Sequence, residues 1–167
     1  MLTKKINALI SLLDDPDKIV YGAVRVALLR EGDVILPILK ETVATTNNPL
    51  KRKRATELLR IVGLKSISCS LTEWIDEGAE NLLYGAYLVA RYLYPDLEYS
   101  IVNEAINEMW RSIRRDVKNA QTPLDRVRVI NRYIFEEQGF SKNIDTPTSP
   151  KNNCINEVLN RSKGNHV

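Results

Sequence analysis

The chain has 167 residues, 44% hydrophobic and 27% charged, which suffices for a packed core in one compact domain or two small ones. No apolar run approaches the roughly 18 residues that a membrane-spanning helix needs. The formal net charge of +3 is low for a protein dedicated to nucleic acid. Two cysteines, Cys69 and Cys154, are too few for a secreted disulfide scaffold, so we predict a cytoplasmic protein.

The N-terminal segment MLTKKINALISLLDD places two lysines before an apolar stretch, as a signal peptide does. No small-residue cleavage site follows, however, and the acidic pair Asp14 and Asp15 comes directly afterwards. The apolar residues recur at helical spacing instead. We therefore predict the first helix of a folded domain, with an inner face formed by Leu2, Ile6, Leu9 and Leu13.

Residues 1–63 contain a weak internal repeat of predicted helices. Asp15 and Pro16 signal the start of a second helix, which Gly32 ends. A third helix follows, and Asn48 with Pro49 repeats the start signal for a fourth, which Gly63 is predicted to end. The second and fourth helices correspond residue by residue, and this pattern resembles HEAT-type repeats: Val24, Ala27, Leu28 and Gly32 match Ala55, Leu58, Leu59 and Gly63.

The densest basic cluster in the sequence runs from Lys51 to Arg54. Four consecutive helical residues point around most of the circumference, because each residue turns the helix by about 100°. We therefore interpret the cluster as a solvated helix start rather than a phosphate-binding site.

The second half begins with a predicted connector at residues 64–70. Ser70 and Glu73 have capping-box spacing and predict a short helix there, which contains Trp74. The next helix ends before Pro95, with Leu83, Ala86, Tyr87 and Ala90 on its predicted inner face. Gly85 inside this helix costs about 1 kcal/mol relative to alanine and therefore suggests a close helix crossing.

Two longer helices follow in the pattern. The first has an apolar face at three- and four-residue spacing from Val102 to Val117. Thr122 and Pro123 open the second, which Gly139 ends and for which we predict an inner face of Leu124, Val127, Ile130 and Ile134. Residues 141–152 are turn-formers and predict an irregular loop before a last short helix and a Lys-Gly-Asn turn. No segment predicts a strand, so the fold class is all-α without a sheet.

Four stretches of the second half carry a resemblance to a known family: ENLLYGAYLVARYLYPDL, TPLDRVRVINRYIFEEQGF, the SPKNN loop and CINEVLNRSKGN. In this order they resemble the bacterial transglutaminase-like family of the SirB type, over roughly residues 71–165. This resemblance implies that residues 71–167 are a helical lead-in to a papain-like core, preceded by the HEAT-like repeats at 1–63. Family members often have proline after the Gly-Asn, whereas this chain has His166 and Val167.

The resemblance implies that any catalytic machinery lies beyond residue 167. In the superfamily, a cysteine nucleophile begins the helix after the Lys-Gly-Asn turn, and a histidine and an aspartate follow later. No catalytic residue can therefore be assigned within this chain. Many members of the SirB type also lack the cysteine, so the resemblance leaves open whether the whole protein is an enzyme.

The residues themselves offer little other chemistry. Cys154 with His166 is the one pair that imitates a Cys–His nucleophile, but a helix separates the two and we predict no role for them. Glu136 and Glu137 are adjacent on a helix and therefore cannot face each other as an acid/base pair. One histidine and two distant cysteines give no metal-ligand spacing, and no glycine-rich phosphate loop is present, so no cofactor or metal is predicted.

Aromatic residues of the second half suit an interface, because they bury area while keeping a polar group available. Ordinary helix packing is nevertheless the favoured explanation, and an interface is the alternative. We also expect exposed apolar surface around Ile155, Val158 and Leu159, with self-association as a consequence. The predicted interaction surface consists of Trp74, Tyr84, Tyr92, Ile155 and Leu159.

Two main hypotheses for function remain at the level of sequence. The first is the N-terminal helical part of a transglutaminase-like protein, which supports the core and offers a surface to a protein partner. The second is a self-contained HEAT-type module that binds a peptide or nucleic acid, although nucleic acid is the less favoured ligand. A third, a small cysteine hydrolase that uses Cys154, has the weakest support.

Overall fold

The computed structural model describes residues 2–165, with side-chain surroundings from Lys4 onward. The chain divides into two compact units, 1–73 and 74–167. The first contains α1 (Leu2–Ser11), α2 (Lys18–Arg30), α3 (Leu36–Thr45) and the larger part of α4 (Pro49–Asp76). Within residues 2–165, no helix is both long and apolar enough to cross a bilayer.

The core of the first unit is built from one apolar face of each helix. Short 3₁₀ turns, Leu12–Asp14 and Gly32–Ile35, follow α1 and α2 and add Leu13 and Ile35 to this core. Gly32 has a φ of +64°, which confirms its predicted role after α2. The buried residues are Ile6, Ile10, Leu13, Val24, Leu28, Ile35, Leu39, Ala55, Leu58 and Val62.

The start of α2 lies slightly later than predicted. Asp17, not Asp15, is the N-cap, and its carboxylate accepts the Ile19 N–H at 2.7 Å. The Asp15 carboxylate accepts the Asp17 N–H at 2.8 Å instead and holds the preceding turn. Asn48 is a side-chain cap as predicted, because its side-chain oxygen accepts the N–H groups of Leu50 and Lys51.

The predicted helix end at Gly63 is wrong, because α4 continues from Pro49 to Asp76 without a break. The predicted connector at 64–70 and the separate helix opened by Ser70 and Glu73 therefore do not form. Gly63 is not in the left-handed region, and one interior glycine costs only about 1 kcal/mol, which the hydrogen bonds of a long helix outweigh.

The second unit contains four further helices and two very short strands among its described residues. These elements are α5 (Leu82–Arg91), α6 (Tyr99–Asn119), α7 (Pro123–Asn131), a π-helical turn (Arg132–Glu137), β1 (Ser141–Lys142), a 3₁₀ turn (Pro150–Asn153), α8 (Ile155–Arg161) and β2 (Lys163–Gly164). The all-α class is confirmed. The expected absence of any strand needs a small correction, since β1 and β2 form a parallel ladder of two residues each.

The inner face of α5 agrees with the predicted one at Ala90 and differs elsewhere. Gly85, Leu88 and Ala90 are its buried residues, whereas Tyr87 is half-buried. A Cβ atom at Gly85 would lie 2.5 Å from the indole ring of Trp74. The sequence-based expectation of a close approach at Gly85 is therefore correct, and an aromatic ring from the end of α4 makes it.

The apolar face of α6 is as predicted, with Val102 and Ile113 buried. The predicted inner face of α7 is partly wrong, because Leu124 and Val127 are 58% and 50% exposed. Tyr133 in the π-helical turn is buried in their place. A π-helical turn holds more residues than an α-helical turn, so the predicted spacing fails from Arg132 onward, where Tyr133 rather than Ile134 is buried.

Candidate functional site

The C-terminal turn predicted from Lys-Gly-Asn is anchored by the parallel ladder. Ser141 pairs with Lys163, and Lys142 pairs with Gly164. At the two ends of the ladder, the Ser141 N–H donates to the Ser162 carbonyl and the Asn143 N–H donates to the Gly164 carbonyl, each at 2.9 Å. We call residues 162–165 the exit turn, since the chain passes through it after α8.

The exit turn starts from a left-handed residue. Ser162 has a φ of +50° and ends α8, where a glycine is more usual. A non-glycine residue in this region costs of order 1 kcal/mol, so the surrounding contacts must hold it. The ladder supplies such a contact, because the Ser162 carbonyl accepts the Ser141 N–H.

Gly164 is buried because the turn passes close to α8. A Cβ atom there would lie 3.1 and 3.3 Å from the methyl groups of Val158 and 3.5 Å from the Asn152 carbonyl oxygen. The next residue is also held, since the Asn165 N–H donates to that carbonyl at 3.1 Å. Its side-chain amide donates to the side-chain oxygen of Asn153 at 2.6 Å. The direction of the chain at residue 165 is therefore fixed by named contacts.

Two buried asparagines, Asn143 and Asn152, form what we call the amide pair. They are 4% and 2% exposed, and the Asn143 amide donates to the Asn152 side-chain oxygen at 2.8 Å. Asn152 donates in turn to the Thr146 carbonyl at 2.7 Å, and the Asn143 side-chain oxygen accepts the Thr146 N–H at 3.3 Å. The loop 143–152 is thus closed around a polar centre, directly behind the exit turn.

The prediction from the sequence misses this amide pair. Residues 141–152 are predicted as an irregular loop, and asparagines in such a loop are normally turn residues at the surface. The sequence shows only that Asn143 and Asn152 flank a segment with two prolines. This spacing does not indicate which asparagines are buried. Buried amides need all their partners to be present, so this loop has one well-defined conformation.

Cys154 does not have the properties of a nucleophile. It occupies the N-cap position of α8, is 3% exposed, and its Sγ lies 3.6 Å from the Pro150 carbonyl oxygen. A position near a helix N-terminus by itself lowers a thiol pKa. Burial instead raises the pKa of Cys154, and the nearby Glu157 carboxylate acts in the same direction. His166, the other member of the predicted pair, lies outside the described residues.

Cys69 is exposed and lies on α4, whereas the sequence predicts a connector at this position. Glu136 and Glu137 are both exposed, and Glu137 accepts a hydrogen bond from Arg132 at 3.2 Å. Within the part of the chain that the structure describes, no group of three potential metal ligands occurs. None of these residues forms an arrangement suited to catalysis.

A strong hydrogen bond ties the turn after α5 to α8. The Tyr94 hydroxyl donates to the Glu157 carboxylate at 2.6 Å. This hydrogen bond, assisted by desolvation, raises the pKa of Tyr94 to about 12. Arg161 lies 3.1 Å from the same carboxylate, so Glu157 links Tyr94 to the helix that leads into the exit turn.

The residues of the predicted interaction surface have different surroundings. Trp74 is half-buried, and its indole N–H donates to the Asn81 carbonyl at 3.0 Å. Tyr84 packs in a cluster with Tyr87 and Tyr99, with ring centroids 5.3 to 5.7 Å apart. Tyr92 is 64% exposed. Ile155, Val158 and Leu159 are half-buried, which is less exposed than predicted.

The basic cluster at the start of α4 is largely used within the first unit. Arg54 donates to the carbonyls of Leu13 and Asp15 at 2.8 and 2.7 Å and lies 3.9 Å above the Tyr21 ring. Lys51 reaches the Ser11 carbonyl, and Arg52 donates to the Thr46 carbonyl. Three of the four cations therefore stabilise turns of the chain itself, and the cluster is neither simply solvated nor free to bind phosphate.

Comparisons with known proteins give matches for part of this chain. Residues 100–167, which include the amide pair and the exit turn, match the family model of the transglutaminase-like superfamily. Proteins called "UPF0162 protein" from the Temecula1 and 9a5c strains of Xylella fastidiosa are each 29% identical to this chain over 93 residues. The matched region covers 56% of this chain and 33% of each relative, so the chain spans about a third of the length of these curated relatives. No solved structure matches.

Proposed function

We propose that this chain is the N-terminal helical part of a longer transglutaminase-like protein of the SirB type, and that its role is structural. The observation that carries the proposal is the anchored exit turn within the segment that matches the transglutaminase-like family model. In the proposed whole protein, residues 141–165 set the direction in which the following segment leaves. That segment then belongs to a papain-like core.

The contacts behind the exit turn support a positioning role. The ladder fixes Lys163 and Gly164, the Asn152 carbonyl holds Asn165, and the buried amide pair keeps that carbonyl in place. Together these contacts hold both the backbone and a side chain of the exit turn. We therefore propose that these contacts define the entry into the core.

The nucleophile of any catalytic activity belongs, in this proposal, to the segment that follows residue 167. The raised pKa of Cys154 and its burial argue against this cysteine as an alternative. If the whole protein is active, the superfamily implies acyl chemistry on peptide or isopeptide bonds. The direct partner of this chain is then the core of its own protein.

For the first unit, we propose HEAT-like packing of helix pairs as an extension of the support. Val24 and Leu28 of α2 and Ala55 and Leu58 of α4 are all buried, in line with the proposed repeat. We also propose a cytoplasmic location and a surface for a protein partner that includes Trp74, Tyr84, Tyr92, Ile155 and Leu159. Of these residues, Tyr92 is the most accessible for a partner.

The proposal is tested by reading and expressing the codons that follow residue 167. We expect a long helix directly after the exit turn, with a cysteine or its replacement near its start and a histidine and an aspartate later. In the longer protein, Asn152→Ala should speed amide hydrogen exchange at the start of that helix, whereas the exposed control Asn160→Ala should not. A reading frame that stops, or that encodes an unrelated fold, would overturn the proposal.

A further inference from the structure

One side of α6 carries mostly charged residues at the three- and four-residue spacing that apolar residues have in a helix that packs on another helix. Residues 101, 104, 108, 111, 115 and 118 alternate at three- and four-residue spacing, so they form one continuous line along the helix. This line lies roughly opposite Val102 and Ile113, the buried residues of α6. We call it the α6 seam; its members are Ile101, Glu104, Glu108, Arg111, Arg115 and Lys118.

Every residue of the α6 seam is exposed, and Ile101 is 58% exposed. Within the described part of the chain, the side chains of its five charged members have no ion-pair or hydrogen-bond partner. The neighbouring carboxylate of Asp116 lies 3.8 Å from Arg132 instead. Like charges one turn apart, Glu104 with Glu108 and Arg111 with Arg115, destabilise the helix slightly, and opposite charges on a partner would relieve this repulsion.

The order of charges along the α6 seam is self-complementary. Its N-terminal half carries Glu104 and Glu108, and its C-terminal half carries Arg111 and Arg115. A two-fold axis between Met109 and Trp110 would place Glu104 opposite Arg115 and Glu108 opposite Arg111 of a second, antiparallel helix. The same axis places Ile101 opposite Lys118, whose methylene stem can cover an exposed apolar side chain.

We infer that the α6 seam pairs with the same seam of a second copy of this chain, antiparallel and across a two-fold axis. Such an interface is isologous, so each ion pair occurs twice. Exposed ion pairs are individually weak and are screened by salt, and the contact covers only about 17 Å of helix from Glu104 to Arg115. The dimer is therefore weak, reversible and sensitive to salt.

This inference goes beyond the proposed function and does not depend on it. It also concerns a different surface from the C-terminal apolar one for which the sequence predicts self-association. A nucleic acid or an acidic protein could contact only the basic half of the α6 seam, because Glu104 and Glu108 repel a polyanion. Neither ligand explains why the acidic half is free as well.

The test is a charge exchange measured by sedimentation equilibrium of the 167-residue chain. Glu104→Arg with Glu108→Arg and, separately, Arg111→Glu with Arg115→Glu should each weaken self-association at least about tenfold. An equimolar mixture of the two variants should restore association as a heterodimer, because each supplies the charges that the other requires. Raising the salt from about 50 mM to about 500 mM should weaken both the wild-type dimer and the heterodimer.

A matched control separates the α6 seam from net charge. Lys53→Glu with Arg60→Glu changes the net charge as much as the arginine variant does, but at exposed positions of α4. This control should associate like the wild type, and circular dichroism should show every variant folded. A wild-type chain that stays monomeric at low salt, a mixture that does not associate, or a dimer insensitive to these variants would overturn the inference.

Discussion

The interiors of the two units of this chain are stabilised by different kinds of interaction. The first has a continuous apolar core in which Leu13, Leu28 and Leu58 are fully buried. The second has only two large side chains buried to that degree among its described residues, Leu88 and Val102, and adds a buried amide pair and a Tyr94–Glu157 hydrogen bond. Apolar packing tolerates small shifts, whereas a buried polar network requires particular geometry. The second unit is therefore the more sensitive to single polar changes.

The largest expected effect is on the core of the first unit. Leu28→Ala removes a fully buried side chain and should lower the free energy of unfolding by about 2 to 5 kcal/mol. Urea denaturation followed by far-UV circular dichroism measures this loss. Leu124→Ala, at an exposed position of α7, should stay within about 0.5 kcal/mol of the wild type. Similar losses for the two variants would contradict the assigned burial.

The next effect concerns the amide pair. Asn152→Ala leaves the Asn143 amide and the Thr146 carbonyl without their buried partner, which should cost about 1 to 3 kcal/mol. Trp74 and Trp110 both belong to the second unit, so tryptophan fluorescence follows its unfolding. The exposed Asn160→Ala variant is the matched control. An unchanged urea midpoint for Asn152→Ala would show that the amide pair does not stabilise the second unit.

Much of the helical pattern could be predicted from the sequence, because apolar spacing reports burial directly. The predictions for the apolar face of α6 and for the cap at Asn48 are correct for this reason. Ile6 and Leu13 of the first predicted face are buried too, whereas the side chain of Leu2 lies outside the described residues. The prediction fails at Gly63 because a glycine ends a helix only where the backbone adopts the left-handed conformation, which Gly63 does not. The neighbouring residues do not indicate which conformation a glycine takes.

The candidate site could be predicted only in outline. The short helix and the Lys-Gly-Asn turn are expected from the sequence. The ladder instead joins Ser141 to Lys163 across α8, and the amide pair closes a loop without regular periodicity. Leu124 and Val127 have the spacing of a core face and are nevertheless exposed, since periodicity shows that a residue is apolar and not what covers it. Both failures concern tertiary contacts, which a local pattern does not encode.

Two glycine variants should change stability in opposite directions. Gly85→Ala places a Cβ against the Trp74 ring and should destabilise the second unit by about 1 to 3 kcal/mol. Gly63→Ala, inside α4 with no atom within 4 Å of the added methyl, should stabilise the protein by up to about 1 kcal/mol. Thermal unfolding measures both changes. Equal signs for the two variants would refute the close approach at Gly85.

The smallest expected effect is the pH dependence of Tyr94. Because its folded pKa is raised above the usual 10 to about 12, its contribution to stability is fully present below pH 10 and is lost as pH rises towards 12. Burial also raises the pKa of Tyr21, so an ultraviolet titration of the wild type should contain more than one late phenolate transition. Tyr94→Phe should remove the transition near pH 12. Tyr92→Phe, at an exposed tyrosine, should leave that transition in place.

Amide hydrogen exchange of the 167-residue chain tests the central claim, a rigidly anchored exit turn, most directly. The N–H groups of Ser141, Asn143 and Asn165 donate to the exit turn or to the loop behind it, so we predict that they exchange as slowly as the amides of α8. Exchange of these three amides at the rate of an exposed loop would contradict the anchoring.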